Sequence, residues 1–364
     1  MPELLFPLMV CTLWVSSFEL TFALVLPMKF LFLPLSWLFG FITYLRNLMY
    51  DRGILASYHS KLKTIVVGNL QVGGAGKTPQ TAYLYDCLSA EYKTAILSRG
   101  YGRKTSGLIE ADENSTAESI GDEPLWYKRV LKQVRVVVSE NRKNGLMYLE
   151  KTDTELVLLD DAFQHRAITG KINLLLTDYN TPYYRDYPLP YGRLREYRTG
   201  DKRADMIIVS KCPENLSLQK KVDIIQSVNP YDHQHVFFTS VHPGKPYVLK
   251  GDKDFGDIRY NQLIVLSGIA NPDSLMSLCA QFNRELLPMH FKDHHKYTVQ
   301  DIKKLLTMIA PDTLVITTEK DAVKLGDKNF LEILPENKVF VLPIKTHFLF
   351  QEDKRFKDCI KELL

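Results

Sequence analysis

Cysteine is scarce and scattered in this chain. Cys11, Cys87, Cys212, Cys279 and Cys359 are odd in number among 364 residues and form no C-x-x-C pair. That argues against a disulfide framework or a cysteine-based zinc site and favours a reducing compartment. The sequence holds no low-complexity tract and no internal repeat, which removes solenoid and disordered classes. Excess charge is also small, a formal net +4, so nothing in the balance points to nucleic acid as a partner. What is present is an ordinary folded composition, 45% hydrophobic, long enough for two domains.

Charge is almost missing from the first stretch. Between Leu4 and Leu45 only Glu19 and Lys29 are charged, among many Phe and Leu with Trp14 and Trp37. This places the segment in or on a membrane. Its better-defined part, Phe30 to Leu45, would be about 24 Å long as a helix, short of the ~30 Å hydrocarbon core. Such a helix can dip in or lie partly in the interface. Arg46, Arg52, Lys61 and Lys63 follow, which keeps the rest on the cytoplasmic side. Three other readings compete: a signal peptide beginning at Met28-Lys29, a buried core helix, and a start at Met28 that makes residues 1–27 an upstream extension.

The run VGNLQVGGAGKTP, Val67 to Pro79, sits where the apolar Thr64 to Val67 strand turns into a helix. There the backbone N–H groups of Gly73, Gly74, Ala75 and Gly76 can point at phosphate oxygens, aided by the helix dipole. Lys77 would reach the β- and γ-phosphates of a nucleoside triphosphate and Thr78 would hold Mg²⁺. One position departs from G-x-x-x-x-G-K-[ST]: Gln71 stands where the first glycine belongs, leaving Gly73 and Gly74 to supply the turn.

Beyond the loop, β-branched runs alternate with helical stretches: Thr94 to Leu97, Arg135 to Val138, Glu155 to Leu159, Ile172 to Thr177 and Met206 to Val209. The pattern predicts an α/β fold of the P-loop NTPase type, a mostly parallel sheet with helices on both faces. A second set, Val236 to Thr239, Leu263 to Ser267, Leu314 to Thr317 and Val339 to Pro343, predicts a smaller C-terminal α/β domain. The expected organisation is therefore residues 1–27 as an apolar extension, 28–55 as a membrane-anchoring segment, 56–230 as the P-loop domain and 231–364 as a smaller α/β domain.

Several constellations carry chemistry. The strand Glu155 to Leu159 ends in Asp160 and Asp161; beside a phosphate loop such an aspartate reaches the metal or its water, and the bland alternative is a solvated acidic turn. Gln164 and His165 follow on the ligand-binding edge of the sheet. Gly121-Asp122-Glu123-Pro124 opens a helix, where carboxylates also serve simply as dipole partners. Arg99, Tyr101 and Arg103 follow a strand and suit clamping an anionic substrate or covering a nucleotide, without G-x-G-x-x-G spacing. His290, His294 and His295 invite a metal reading, but no zincin Glu intervenes, and a histidine next to Asp293 more often serves structure or acid–base work.

Taken in order, VGNLQVGGAGKTP, LSRGYGR, GDEP, LLDDAFQHR, LPYGRLRE, LSGIANP, KDHHKY and TTEKDAVKL resemble the tetraacyldisaccharide 4'-kinases, the lipid A 4'-kinases of Gram-negative envelopes. The resemblance runs from about residue 30 to the end and includes LPLSWLFG at Leu33 to Gly40. It implies transfer of the γ-phosphate of ATP to the 4'-hydroxyl of an acylated glucosamine disaccharide 1-phosphate. The partners implied are this lipid A precursor and membrane lipid, at the cytoplasmic face of a bacterial inner membrane. It also implies Asp122 as the base, paired with His294 across a cleft, and Thr78, Glu123, Asp160 and Asp161 on the metal side. Arg99, Tyr101, Gln164, His165, Arg195 and Glu196 become walls for substrate or nucleotide. Two departures stand out: Ala162 replaces the family's usual glycine, and His295 competes with His294 for Asp122. A base and its partner on separate domains imply a hinge that closes on ATP and substrate. The alternative is a membrane-associated P-loop ATPase or GTPase switch; against GTP, Pro213 stands where a base-reading Asp would follow Lys211.

Overall fold

A computed structural model of the chain describes residues 30–282 and 285–364. The expectations for residues 1–27, and for the start of the 28–55 segment, lie outside them. The first element is helix α1, Leu33–Asp51, with Pro34 in its first turn. Its small and polar residues Ser36, Gly40 and Thr43 are the buried ones, while Leu35, Trp37, Leu38, Phe41, Ile42 and Leu45 are exposed. The helix is thus inverted relative to a surface helix of a globular protein. No helix among the described residues is long and apolar enough to cross a membrane, so an N-terminal spanning helix is not supported.

The strands follow as β1 Tyr58–His59, β2 Lys63–Asn69, β3 Thr94–Ser98, β4 Ile109–Glu110, β5 Arg135–Val138, β6 Leu156–Asp160, β7 Ile168–Thr169, β8 Ile172–Asp178, β9 Met206–Ser210 and β10 His235–Pro243. They are interleaved with helices α2 Lys77–Leu88, α3 Ala117–Ile120, α4 Asp122–Val130, α5 Arg142–Leu149 and α6 Leu218–Val228. Next come β11 Tyr247–Val248, β12 Gln262–Ser267, α7 Pro272–Cys279, β13 Glu285–His290, α8 Val299–Met308, β14 Thr313–Thr318, α9 Glu319–Leu325 and α10 Lys328–Ile333. Strands β15 Val339–Leu342 and β16 Ile344–Phe348 and helix α11 Asp353–Leu363 complete the chain.

A nine-stranded sheet in the order β16-β10-β9-β8-β2-β6-β3-β5-β4 is parallel throughout its interior, with antiparallel β16 and β4 at the two edges. β2, which feeds the phosphate loop, lies between β8 and β6. Its residues are buried on both faces, as are those of β3 and β6, which is why they read as continuous apolar runs rather than alternating ones. One face packs on α2, α4 and α11 and the other on α5 and α6. The second sheet, β11-β15-β14-β12-β13, has five strands with cores on both faces.

The division near residue 230 is displaced. β10, expected in the smaller domain, pairs with β9 in the large sheet from His235 to Phe238. Strand β16 then returns to pair with β10, and Phe348 and Phe356 join Phe237 in one aromatic cluster with centroids 4.5 to 6.1 Å apart. Aromatic burial of this size draws the last segment back. The small unit is therefore the stretch between β10 and β16, joined by two crossings that meet where Gly244 N–H donates to Pro343 O at 2.8 Å. β13 was hidden in sequence by Pro288, which an edge strand accommodates.

Close approach of β2 to the next turn requires Gly68: a Cβ there would lie 2.5 Å from Phe163 Cβ and 2.9 Å from its backbone nitrogen. Gly68→Ala is expected to destabilise the protein by about 1–3 kcal/mol, the usual range for overpacking, as read by chemical denaturation.

Candidate active site

The phosphate loop is a left-handed turn into α2. Gly73 and Gly76 have φ of +108° and +77°, which L side chains avoid, whereas Gly74 needs no such freedom. A Cβ at Gly73 or Gly74 would meet nothing within 4 Å, so the loop's outer side is open. No side chain caps the head of α2, leaving its first N–H groups to a ligand. Ser210 Oγ donates to Ala75 O at 2.9 Å and Lys211 Nζ to Gly74 O, so the Ser-Lys pair after β9 braces the loop. Gln71, the apparent mismatch, bridges Leu194 and donates from Nε2 to Asp186 Oδ2 at 2.7 Å.

Lys77 Nζ donates to Asn69 Oδ1 at 3.1 Å and stands 3.4 Å from Asp161 Oδ1. Asp161 has φ +45° and takes Arg195 Nη1 at 3.0 Å. Burial opposes its ionisation, yet Lys77 and Arg195 hold its carboxyl below the usual range. Two cations thus occupy Asp161, and a place among metal ligands is not what its contacts favour. The positive φ falls on Asp161 rather than on Ala162, so the missing glycine costs nothing there.

Asp160 differs. Its Oδ1 is buried without a hydrogen-bond partner, and Ser98 Oγ donates to Oδ2 at 3.4 Å. Burial, reinforced by Glu123 and Asp161, raises its pKa to about 7. Thr78 Oγ1 lies 3.5 Å from Glu123 Oε1, and the same oxygen accepts from Lys320 Nζ at 3.0 Å. Burial works against the charge on Glu123, but Lys320 and Lys77 bring its pKa below the ordinary value.

At the head of α4, Asp122 Oδ2 is 3.0 Å from His294 Nδ1 and 3.0 Å from Lys324 Nζ. His295 goes elsewhere: its Nε2 is 3.1 Å from Asp301 Oδ2 and its ring stacks on Phe291 with centroids 4.2 Å apart. His290 Nδ1 pairs with Ser267 Oγ at 2.9 Å, so the three histidines serve three partners. Among the described residues no group of three or more His, Cys, Asp and Glu is placed to hold a metal. Tyr101, 76% exposed, sets its ring 6.3 Å from that of His294.

The remaining wall candidates divide. Arg99 is exposed, whereas His165 keeps a buried, unpartnered Nε2, and burial with Arg142, Arg99 and Arg46 nearby lowers its pKa to about 4. Gln164 Nε2 donates to Asn69 O at 2.8 Å and to Glu196 Oε1 at 3.2 Å. Glu196 is not a wall: it is 1% exposed and also takes Arg203 Nη2 at 2.7 Å, tying the segment to α1 through Asn47.

Lys320, Lys324, Asn69 and Arg142 were not singled out from sequence. Arg142, with Nη2 donating to Asp160 O at 3.1 Å, gave no local signal. Lys320 and Lys324 did carry one, since lysines four apart on a helix share a face.

Hydrogen bonding to Asp122 raises the pKa of His294, with burial opposing. That contact contributes stability fully below the unfolded value of 6.5 and loses it as pH rises through the folded value. Asp122→Asn is expected to bring the His294 pKa down toward 6.5, as read by NMR titration of its ring protons.

Residues 28–364 match the family model of the tetraacyldisaccharide-1-P 4'-kinases. A tetraacyldisaccharide 4'-kinase of Flavobacterium johnsoniae is 40% identical over 324 residues, covering 88% of this chain and 93% of the relative. Its counterpart in Flavobacterium psychrophilum is 41% identical over 332 residues, covering 90% and 94%. The crystal structure of "apo" form LpxK from Aquifex aeolicus in complex with ATP aligns with a TM-score of 0.72 at 28% identity, covering 92% of this chain and 99% of that one. With sequence, length and fold agreeing from residue 28 to residue 364, the chain belongs to the tetraacyldisaccharide-1-P 4'-kinase family.

Proposed function

We propose that this kinase transfers the γ-phosphoryl group of ATP to the 4'-hydroxyl of tetraacyldisaccharide 1-phosphate, at the cytoplasmic face of a bacterial inner membrane. The observation that carries the reading is the meeting of Asp122, backed by His294 and Lys324, with the Lys77–Thr78 phosphate loop through the adjacent Glu123. A bare P-loop switch needs the loop and Asp160 but has no use for a buttressed carboxylate beside them.

Phosphoryl transfer asks mainly for positioning and charge neutralisation. The N–H groups of Gly73 to Gly76 and Lys77 hold the phosphates, and Asp122 receives the proton of the acceptor hydroxyl. With its pKa held low by His294 and Lys324 against burial, Asp122 is charged at neutral pH and accepts the proton late, as the new bond forms. The unpartnered Asp160 Oδ1, the Thr78 hydroxyl and Glu123 form an all-oxygen donor set that fits Mg²⁺, an ion commonly held by one or two carboxylates with water and phosphate. When bound, such an ion neutralises charge on the phosphates. The exposed Tyr101, with its ring 6.3 Å from that of His294, stands beside the base where the acceptor would enter.

The substrate's acyl chains stay in the bilayer, since each buried CH₂ is worth about 0.8 kcal/mol. The enzyme must come to it, and the outward apolar face of α1 suits lying in the interface with its small residues against the protein.

Purified protein in detergent with radiolabelled ATP, Mg²⁺ and tetraacyldisaccharide 1-phosphate is expected to yield labelled lipid. Asp122→Ala should lose about 10²–10⁴-fold in kcat, and Lys77→Ala should lose most transfer; chelation of Mg²⁺ should abolish it. Absence of transfer by the unmodified chain sinks the reading. Phe41→Asp with Leu45→Asp should weaken co-sedimentation with anionic lipid vesicles at least about tenfold while ATP affinity holds; unchanged sedimentation rules out α1 as the membrane contact.

A further inference from the structure

Asp122 holds two partners on one oxygen. His294 Nδ1, from the loop after β13, and Lys324 Nζ, from α9, both approach Oδ2 at 3.0 Å. Lys324 is itself held in place: its side chain is 10% exposed, and Nζ also donates to His295 O at 3.2 Å. The helix that carries it is held from both units. Thr318 caps it, accepting from Asp321 N–H at 3.1 Å, and Asp321 Oδ2 accepts from Gly268 N–H at 3.0 Å in the small unit. On the other side Arg129 Nη1, from α4, donates to Val323 O at 2.7 Å. One turn before Lys324, Lys320 meets Glu123, so a lysine pair on α9 faces two successive carboxylates of α4.

We propose that Lys324 is a positioning residue of the phosphoryl transfer, holding Asp122 together with His294 through Oδ2 so that Oδ1 is the oxygen presented to the acceptor hydroxyl. The proposal rests on the reading of Asp122 as the base. A carboxylate free to rotate offers two equivalent oxygens, whereas two charge-assisted hydrogen bonds on one of them break that symmetry and fix the plane of the other. As the acceptor oxygen bonds to the γ-phosphorus, the bond from phosphorus to the bridging oxygen breaks and ADP keeps its electron pair. The hydroxyl proton passes to Oδ1. Both groups that orient Asp122 come from the small unit, so the carboxylate is in register only while α9 and the 291–297 loop are seated on α4.

The test uses the full chain with Lys324→Met, Lys324→Gln, Lys324→Arg, Asp122→Asn and the double variant Lys324→Met/Asp122→Asn. Initial rates with ATP and tetraacyldisaccharide 1-phosphate are read beside the affinity for a fluorescent ATP analogue and the melting temperature. Lys324→Met and Lys324→Gln are expected to lower kcat about 10- to 100-fold with KM for ATP within about twofold, and Lys324→Arg to recover much of the loss. The double variant should be no slower than Asp122→Asn alone, because Lys324 acts through that carboxylate. Wild-type kcat in the methionine and glutamine variants overturns the proposal. So does a loss confined to KM for ATP, or a double variant whose loss is the product of the two single losses. A glutamine variant read in parallel keeps the test open if methionine does not fold. Wild-type activity in Asp122→Asn would instead remove the base itself, an outcome distinct from failure of Lys324 alone.

Discussion

Charge compensation at the carboxyl edge of the large sheet is the constraint around which this molecule is built. Asp122, Glu123, Asp160 and Asp161 come from two segments and converge beside one phosphate loop. Taking such groups out of water costs several kcal/mol each unless cations follow. Lys77 comes from the loop, Arg195 from the segment before β9, Lys320 and Lys324 from α9, and His294 from the loop after β13. Asp160 keeps a buried oxygen with no protein partner, and burial raises its proton affinity. The arrangement ties the small unit to the large one by electrostatics as much as by packing.

A second thread joins the apolar helix to the same loop. Ser36 Oγ donates to Pro188 O at 2.6 Å, and the Tyr197 hydroxyl approaches Trp37 O at 3.5 Å. The same segment reaches the phosphate loop, where Val72 N–H donates to Arg193 O at 2.8 Å and Arg195 N–H to Leu70 O at 2.7 Å. Gln71 is part of this contact. The residue that breaks the general phosphate-loop pattern is thus the one that docks the loop on the segment holding α1. Whatever presses on the outward face of that helix is two hydrogen-bonded contacts away from the phosphate loop.

Legibility in the sequence followed the range of the interactions concerned. Strands β2, β3, β5, β6, β8 and β9 could be read to within two residues at either end because each is buried on both faces and so is largely apolar. The phosphate loop was legible because its chemistry is local. The boundary at 230 was misplaced because the pairing of β10 with β16 links residues about a hundred apart, and nothing local announces it. Glu196 was misread for a related reason: a glutamate in a motif looks accessible until Arg203, Gln164 and Asn47 are seen around it. The resemblance put Asp122 with His294, and the structure brings them within hydrogen-bond distance. Lys324, which shares their oxygen, stood in a quoted motif without a role because its partner lies on another element.

The return of β16 to β10 also has a consequence for assembly. Everything from β11 to β15 is synthesised before β16 exists, so the large sheet leaves the ribosome with β10 as a bare edge. Such an edge is a template for pairing with other chains until it is covered. The small unit must therefore be made, and its two ends brought together at Gly244 and Pro343, before the older and larger half of the protein can close its own border. In this chain the smaller unit is an insertion whose completion seals the larger one.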